Sequence, residues 1–406
     1  EESNIQAIAD AIREKNGETT TYKTSEMADA ISAITTGGGI EVEPIVLTGN
    51  QSYGCAGPLS GTYINLFGDT VSTKDLTMIM QMFYNNSTVE NIPFEINMAS
   101  NAGSMDSVFY GCKKLKHIPN IDCKHTSGVS MGGVFSGCNE LTNLPYLYNA
   151  YPTGLANIFA NCYNLRNIPE DYFDTWNFEK INTGAYNSVN NMFNNCYSLR
   201  NISPNILSHF CNETVNKSAY YCFYYNGFYS CYALDELIDI PVAIGITATS
   251  NIFYSTFSSC YRIKNLIFAT QEDGSPYVVK WKSQQISLGG SNFIGYTQGQ
   301  AQTKILDYNS GITADKQVSN DATYQALKND PDWFAYGAAY SRYNHDSAVA
   351  TINSLPDASA YLATAGGTNT IQFKGDSGSA TDGGAINTLT PEEIAVATTK
   401  GWTVSI

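Results

Sequence analysis

Ten cysteines, four histidines and scattered carboxylates are the side chains here that could bind a metal, move a proton or attack a substrate. Thiolates at C-x-x-C or C-x-x-H spacing bring two ligands within reach of one zinc ion. Cys55, Cys123, Cys211 and Cys222 show no such spacing. The other six, Cys112, Cys138, Cys162, Cys196, Cys231 and Cys260, recur at intervals of 24 to 35 residues. An even cysteine count can signal a disulfide framework. Recurrence at this distance reads instead as one structural position occupied six times, with cysteine as a small buried hydrophobe. Disulfides between neighbours would need a narrow Cβ separation. His117, His125, His209 and His345 form no paired ligand motif. Asp346, beside His345, reads as the cap of a helix on "SAVATI". Glu170 and Asp171 adjoin, but a glycosidase pair is defined by its separation across a cleft. There is no nucleophile elbow, P-loop or dinucleotide fingerprint. These residues predict no catalytic site, no metal and no cofactor.

Bulk composition narrows the partners. The chain has 406 residues and a net charge of −15, with 15% charged residues, against the ~25% usual in soluble domains. Its surface must be rich in Asn, Ser, Thr, Gly and Tyr. A phosphate backbone is repelled, so nucleic acid is not an expected partner. No stretch approaches the ~20 apolar residues of a membrane span. "EESNIQAIAD" has neither the basic start nor the apolar core of a signal peptide.

The elements that position the cysteines are repeats. Phe83, Phe109, Phe135, Phe159, Phe193, Phe228 and Phe257 share one register. Three residues after each comes Asn86, then the six cysteines. Six residues after come Val89, Leu115, Leu141, Leu165, Leu199, Leu234 and Ile263. Nine residues after come Ile92, Ile118, Leu144, Ile168, Ile202, Leu237 and Leu266, with proline next at 93, 119, 145 and 169. Four residues before each Phe stand Ile79, Met105, Met131, Leu155, Val189, Tyr224 and Phe253. A spacing of four then three places side chains on one face of a short helix. The Leu-x-x-Ile-Pro that follows predicts an extended segment. Four apolar side chains cannot offset the entropy of ordering some 26 residues, so neighbouring repeats must stack into one core. Within "SAYYCFYYNGFYSCY", Tyr224, Phe228 and Cys231 then point inward, and Tyr225, Tyr229 and Tyr232 do not.

The pattern F-x-x-C-x-x-L-x-x-I-P resembles the BspA-type leucine-rich repeat over residues 76–270, which implies an α/β solenoid. Asn86 departs from it, as suits a terminal repeat. Residues 40–75 are expected to link and cap the stack. Four residues after the Phe come Lys113 and Asn139, then Tyr163, Tyr197, Tyr232 and Tyr261. Stacked repeats turn these into a tyrosine row. The row either packs ring on ring to shield the stack or offers a contact surface for a glycan or protein.

Residues 1–39 differ in character. Ile5, Ile8, Ala9 and Ile12 form one helical stripe, ended by Asn16-Gly17; Met27, Ala30, Ile31 and Ile34 form a second, capped by Thr24 or Ser25. Gly37-Gly38-Gly39 then acts as a joint. Such a hairpin buries too little to stand alone. It is expected to dock or oligomerise through Ile5, Ile8, Ile12, Met27, Ile31 and Ile34, or else to fold back on the stack. The run from Ile8 through Arg13, Lys15 and Gly17 to Ser25-Glu26-Met27 and Ile31 is similar to the start of phage and prophage tail or appendage proteins. Thr24 stands where that family often has proline.

Residues 271–406 lose the Phe–Cys register and are expected to form irregular terminal repeats and a cap. Val279 and Trp281 read as strand, "DSAVATINSLPD" as a capped helix and "NTIQFKG" as a strand. In "TLTPEEIAVATTKGWTVSI", Thr390 caps, Pro391 opens the helix, Glu393 completes a capping box, Gly401 stops it, and Trp402, Val404 and Ile406 form a last strand. The runs "SRYNHDSAVATINSLPDASAYL" and "LTPEEIAVATTKGWTV" resemble terminal repeats of phage-encoded leucine-rich-repeat proteins. These resemblances imply a non-enzymatic virion component of tail, baseplate or neck, assembled in the host cytoplasm. It would dock to other virion proteins through residues 1–39. It is expected to be a homo-oligomer, a trimer if it follows the family, presenting the repeats to a host-surface glycan or protein. A bacterial surface adhesin is the second reading, and a glycan-degrading appendage the third.

Overall fold

The computed structural model describes residues 42–124, 128–181, 189–211, 224–231, 233–258, 260, 263, 265–289, 345–374 and 389–405. The chain divides into two compact units, Glu1–Ile45 and Val46–Ile406. The hairpin residues Ile5, Ile8, Ile12, Met27, Ile31 and Ile34, together with His125, Tyr232 and Tyr261, lie outside the described residues.

The seven phenylalanines form one ladder. Adjacent ring centroids, from Phe83 to Phe257, are 5.4–6.2 Å apart, with planes within 11° of parallel. Each repeat therefore lies directly on the next. The residues at −4, 0, +3 and +6 are buried throughout, and those at +9 are buried except Ile118, which is half-buried.

The expected short helix is not what carries these side chains. Each described repeat bends through consecutive turns instead. The residues two before and two after the Phe have positive φ, as in Ser107 (55°) and Gly111 (72°), Gly133 and Gly137, Asn157 and Asn161, Asn191 and Asn195. A left-handed residue every fourth position cannot continue a right-handed helix. Asn, Gly and Ser dominate these sites because they tolerate that conformation best.

The turns pair their backbone amides by alternation. The N–H groups at −2, 0 and +2 donate to the next repeat: Ser107 to Gly132 O at 2.8 Å, Phe109 to Val134 O at 2.9 Å and Gly111 to Ser136 O at 2.7 Å. Those at +1 and +3 close turns within the repeat, Tyr110 on Ser107 O and Cys112 on Phe109 O, both 3.1 Å. This alternation also buries a second column at −1: Met82, Val108, Val134, Ile158 and Met192, all at 0% exposure.

The extended segments pair in parallel with their counterparts one repeat on, as in Asn91 with His117, Ile121 with Leu147 and Leu237 with Leu266. The first repeat is covered by the helix Gly61–Phe67, whose cap Ser60 accepts from Tyr63 N at 3.2 Å. A Cβ on Gly61 would lie 2.1 Å from Thr88 Oγ1, so this close approach requires glycine.

At the far end, strands Gln285–Gly289, Asn369–Lys374 and Trp402–Ser405 form a parallel sheet, in that order. Helices His345–Ser354, Ser359–Ala365 and Pro391–Thr399 accompany it. The capping box is present in full: Thr390 Oγ1 accepts from Glu393 N at 3.2 Å, and Glu393 Oε2 accepts from Thr390 N at 2.7 Å. Gly401 has a φ of 81°. Asp346, expected as a cap, lies inside the first turn of its helix, which begins at His345. The buried Gln284 ties this sheet to the last repeat, donating to Ser250 O at 2.8 Å and accepting from Ile252 N at 3.0 Å.

Candidate functional site

Each repeat cysteine donates its S–H to the carbonyl of the Phe one repeat earlier: Cys112 to Phe83, Cys138 to Phe109, Cys162 to Phe135, Cys196 to Phe159, Cys231 to Phe193 and Cys260 to Phe228. The S···O distances are 2.9–3.1 Å. In the first repeat Asn86 takes over this task, its Nδ2 donating to Leu59 O at 2.8 Å. Cysteine is thus a hydrogen-bond donor between repeats as well as a small hydrophobe. Burial pushes the Cys112, Cys162 and Cys260 thiols up to about 12 and raises Cys138, Cys196 and Cys231 as well. A thiol held protonated is neither nucleophile nor metal ligand.

The described histidines are dispersed. His117 is exposed. His209 Nε2 lies 3.2 Å from Asp174 Oδ1. His345 sits between Asp346 and Glu393, at 3.4 and 3.2 Å, and these partners raise its pKa. Among the described residues no group of three or more His, Cys, Asp or Glu could hold a metal ion. No described helix is long and apolar enough to cross a membrane.

Of the tyrosine row, Tyr163 and Tyr197 are described. Their rings stack at 4.6 Å and 1°. Tyr197 is only 8% exposed, so its face is spent largely on this packing.

A different face of the repeats is concave. It is built from the positions three and two before the Phe and one and two after it. At the second repeat these hold Asp106, Ser107 and Tyr110; at the third, Gly132, Gly133 and Ser136; at the fourth, Ala156, Asn157 and Asn161. Together with Met80, Gln81 and Ser130 they line a trough of about 530 Å³. Its depth comes from missing side chains. A Cβ on Gly133 would lie 3.5 Å from Tyr110 Cδ2. Tyr110 stacks on Tyr84 at 5.0 Å and forms one shoulder, while Tyr225 and Tyr254, stacked at 5.1 Å, occupy the −3 position farther along. Asp106 is held in place: its Oδ1 accepts from Ser130 Oγ at 2.6 Å and from Gly132 N at 2.7 Å.

A second concavity, about 430 Å³, is lined by Glu170, Glu236, Asn167, Asn201 and Ile238 among others. Glu170 is exposed, and Glu236 Oε1 accepts from Asn265 Nδ2 at 3.1 Å. The trough has one carboxylate, Asp106, and the second groove has two, Glu170 and Glu236, beside Ile168, Ile202 and Ile238.

The tyrosine row was the readable candidate because four aromatic residues share a position. The trough gives only a negative signal: small residues at three neighbouring positions of two successive repeats. No family model, no curated protein and no solved structure matches this chain.

Proposed function

We propose that this chain is a non-enzymatic binding component of a phage virion: a solenoid of BspA-type leucine-rich repeats that presents a recognition surface. Residues 1–39 attach it to other virion proteins or to copies of itself. The observation that carries the binding role is the trough. It has the volume usual for ligand sites, one positioned carboxylate and an aromatic shoulder, all mounted on a scaffold whose alternate amides donate to the next repeat. The seven-ring ladder supports the solenoid reading, since each ring is covered by its neighbours. The virion assignment rests on the likeness of residues 8–31 and of the C-terminal runs to phage appendage sequences.

Labelling the chain on assembled particles tests this. Under the proposal, antibody or gold directed at the repeats decorates one symmetric substructure of tail, baseplate or neck, and deletion of residues 1–39 abolishes decoration. Absence of the chain from purified particles would refute it.

A further inference from the structure

The trough over the second to fourth repeats has a shape and a chemistry that narrow its ligand. Resting on the reading of the chain as a binding component, we propose that it holds a neutral, hexose-based oligosaccharide. Tyr110 is the stacking platform, and Asp106 and Asn157 are the hydroxyl partners.

Several observations converge on a sugar. Tyr110 is 37% exposed and is backed by Tyr84, so its ring is fixed and its outer part stays accessible. A ring of this kind offers a rigid apolar face beside a polar tip, matching the C–H face and hydroxyl rim of a pyranose. Asp106 is already oriented by Ser130 and Gly132, so accepting from a sugar hydroxyl requires little reordering. Asn157 is exposed at the trough edge and supplies both a donor and an acceptor. The floor at Gly132, Gly133 and Ala156 leaves space where other repeats place larger groups.

Charge selects among sugars. No lysine or arginine lines the trough, and Asp106 does. The chain as a whole carries −15. Sialylated or phosphate-bearing glycans are therefore disfavoured. A peptide adding as a strand is disfavoured too, because the amides of Ser107, Phe109, Gly133 and Phe135 already donate to the next repeat.

The protein's own repeats supply suitable variants. Position −3 is Ala156 in the fourth repeat but Tyr225 and Tyr254 in the sixth and seventh; position +1 is Tyr110 in the second repeat but Ser136 and Ser258 in the third and seventh. Ala156→Tyr fills the trough and Tyr110→Ser removes the platform, each with a residue the stack already accepts there. The full chain is applied to an array of neutral hexose and N-acetylhexosamine oligosaccharides beside sialylated and phosphorylated ones, and affinities are then measured by calorimetry. The expected result is binding to a neutral oligosaccharide that each variant weakens by about tenfold or more, with melting unchanged. If a variant melts early, Asn157→Asp, which preserves shape and tolerates positive φ, replaces it and is expected to weaken binding severalfold. Wild-type affinity in either folded variant overturns the trough assignment and leaves the binding role standing. Binding only to anionic glycans, or to none, overturns the sugar inference, while particle labelling reports separately on the virion role.

Discussion

The thiol of Cys138 donates to the carbonyl of Phe109, one repeat earlier, at 3.1 Å, and that carbonyl also accepts from Cys112 N at 3.1 Å. One oxygen thus joins a turn to the repeat stacked on it, and the arrangement recurs along the column. Cys138→Ala removes the S–H donor and leaves a small void. It is expected to cost about 1–2 kcal/mol, read from urea denaturation. Cys138→Ser, which keeps a donor, is expected to cost less; a larger loss for Ser than for Ala contradicts the donor role.

Stability should fall at alkaline pH. The folded thiols titrate at about 12 for Cys112, Cys162 and Cys260, raised by burial from an ordinary 9.0. The protonated form is the one the fold keeps, so this contribution is fully present below pH 9 and is lost as pH rises toward 12. Denaturation midpoints measured between pH 7.5 and 10.5 should decline across the upper half of that range. Over the same range Cys55, which is exposed, should react with a thiol reagent while the repeat cysteines stay protected.

The left-handed positions make a graded prediction. Gly111 has a φ of 72°, and an added Cβ would lie 2.2 Å from Asn85 Oδ1; at Gly137 (78°) the closest approach is 3.4 Å, to Gly111 Cα. Gly137→Ala should cost on the order of 1–2 kcal/mol for backbone strain, and Gly111→Ala should cost more. Equal melting temperatures for the two variants would remove steric crowding from the explanation.

How much of this was legible in the sequence depended on what kind of mark a feature leaves. Phe109, Cys112 and Leu115 were readable as core because burial recurs at one register. The Thr390–Glu393 capping box was readable because it is local. The helix was not a sound inference: positions −4, 0 and +3 share a face in a helix and also in turns broken by left-handed residues. The discriminating signal is Asn, Gly or Ser two residues either side of Phe, the residues that best tolerate positive φ. Val108 and Val134 at position −1 were missed although either backbone would bury them: in a helix −4, −1, 0 and +3 also share one face. The trough left the faintest mark, because Gly132, Gly133 and Ala156 act by being small.

The C-terminal helices should respond to pH through both His345 and Glu393. Asp346 and Glu393 raise the His345 pKa, so its contribution is present at acidic pH and is lost as pH rises through the folded value. Glu393 is lowered, chiefly by the Thr390 amide, so its contribution is present above the usual carboxylate range and is lost as pH falls through the folded value. Glu393→Gln should speed amide exchange in Pro391–Thr399 near neutral pH and flatten its response to acid. An unchanged pH profile would sink this pairing.

The stack itself is tested most directly by the amide hydrogen exchange of Phe109, Phe135 and Phe159. These N–H groups donate to Val134 O, Ile158 O and Met192 O, at 2.9, 2.9 and 3.1 Å, each one repeat onward. All three are expected to exchange slowly and at a common rate, as groups released only when neighbouring repeats part. Exchange at the rate of an unstructured chain, at any of the three, would contradict the stack.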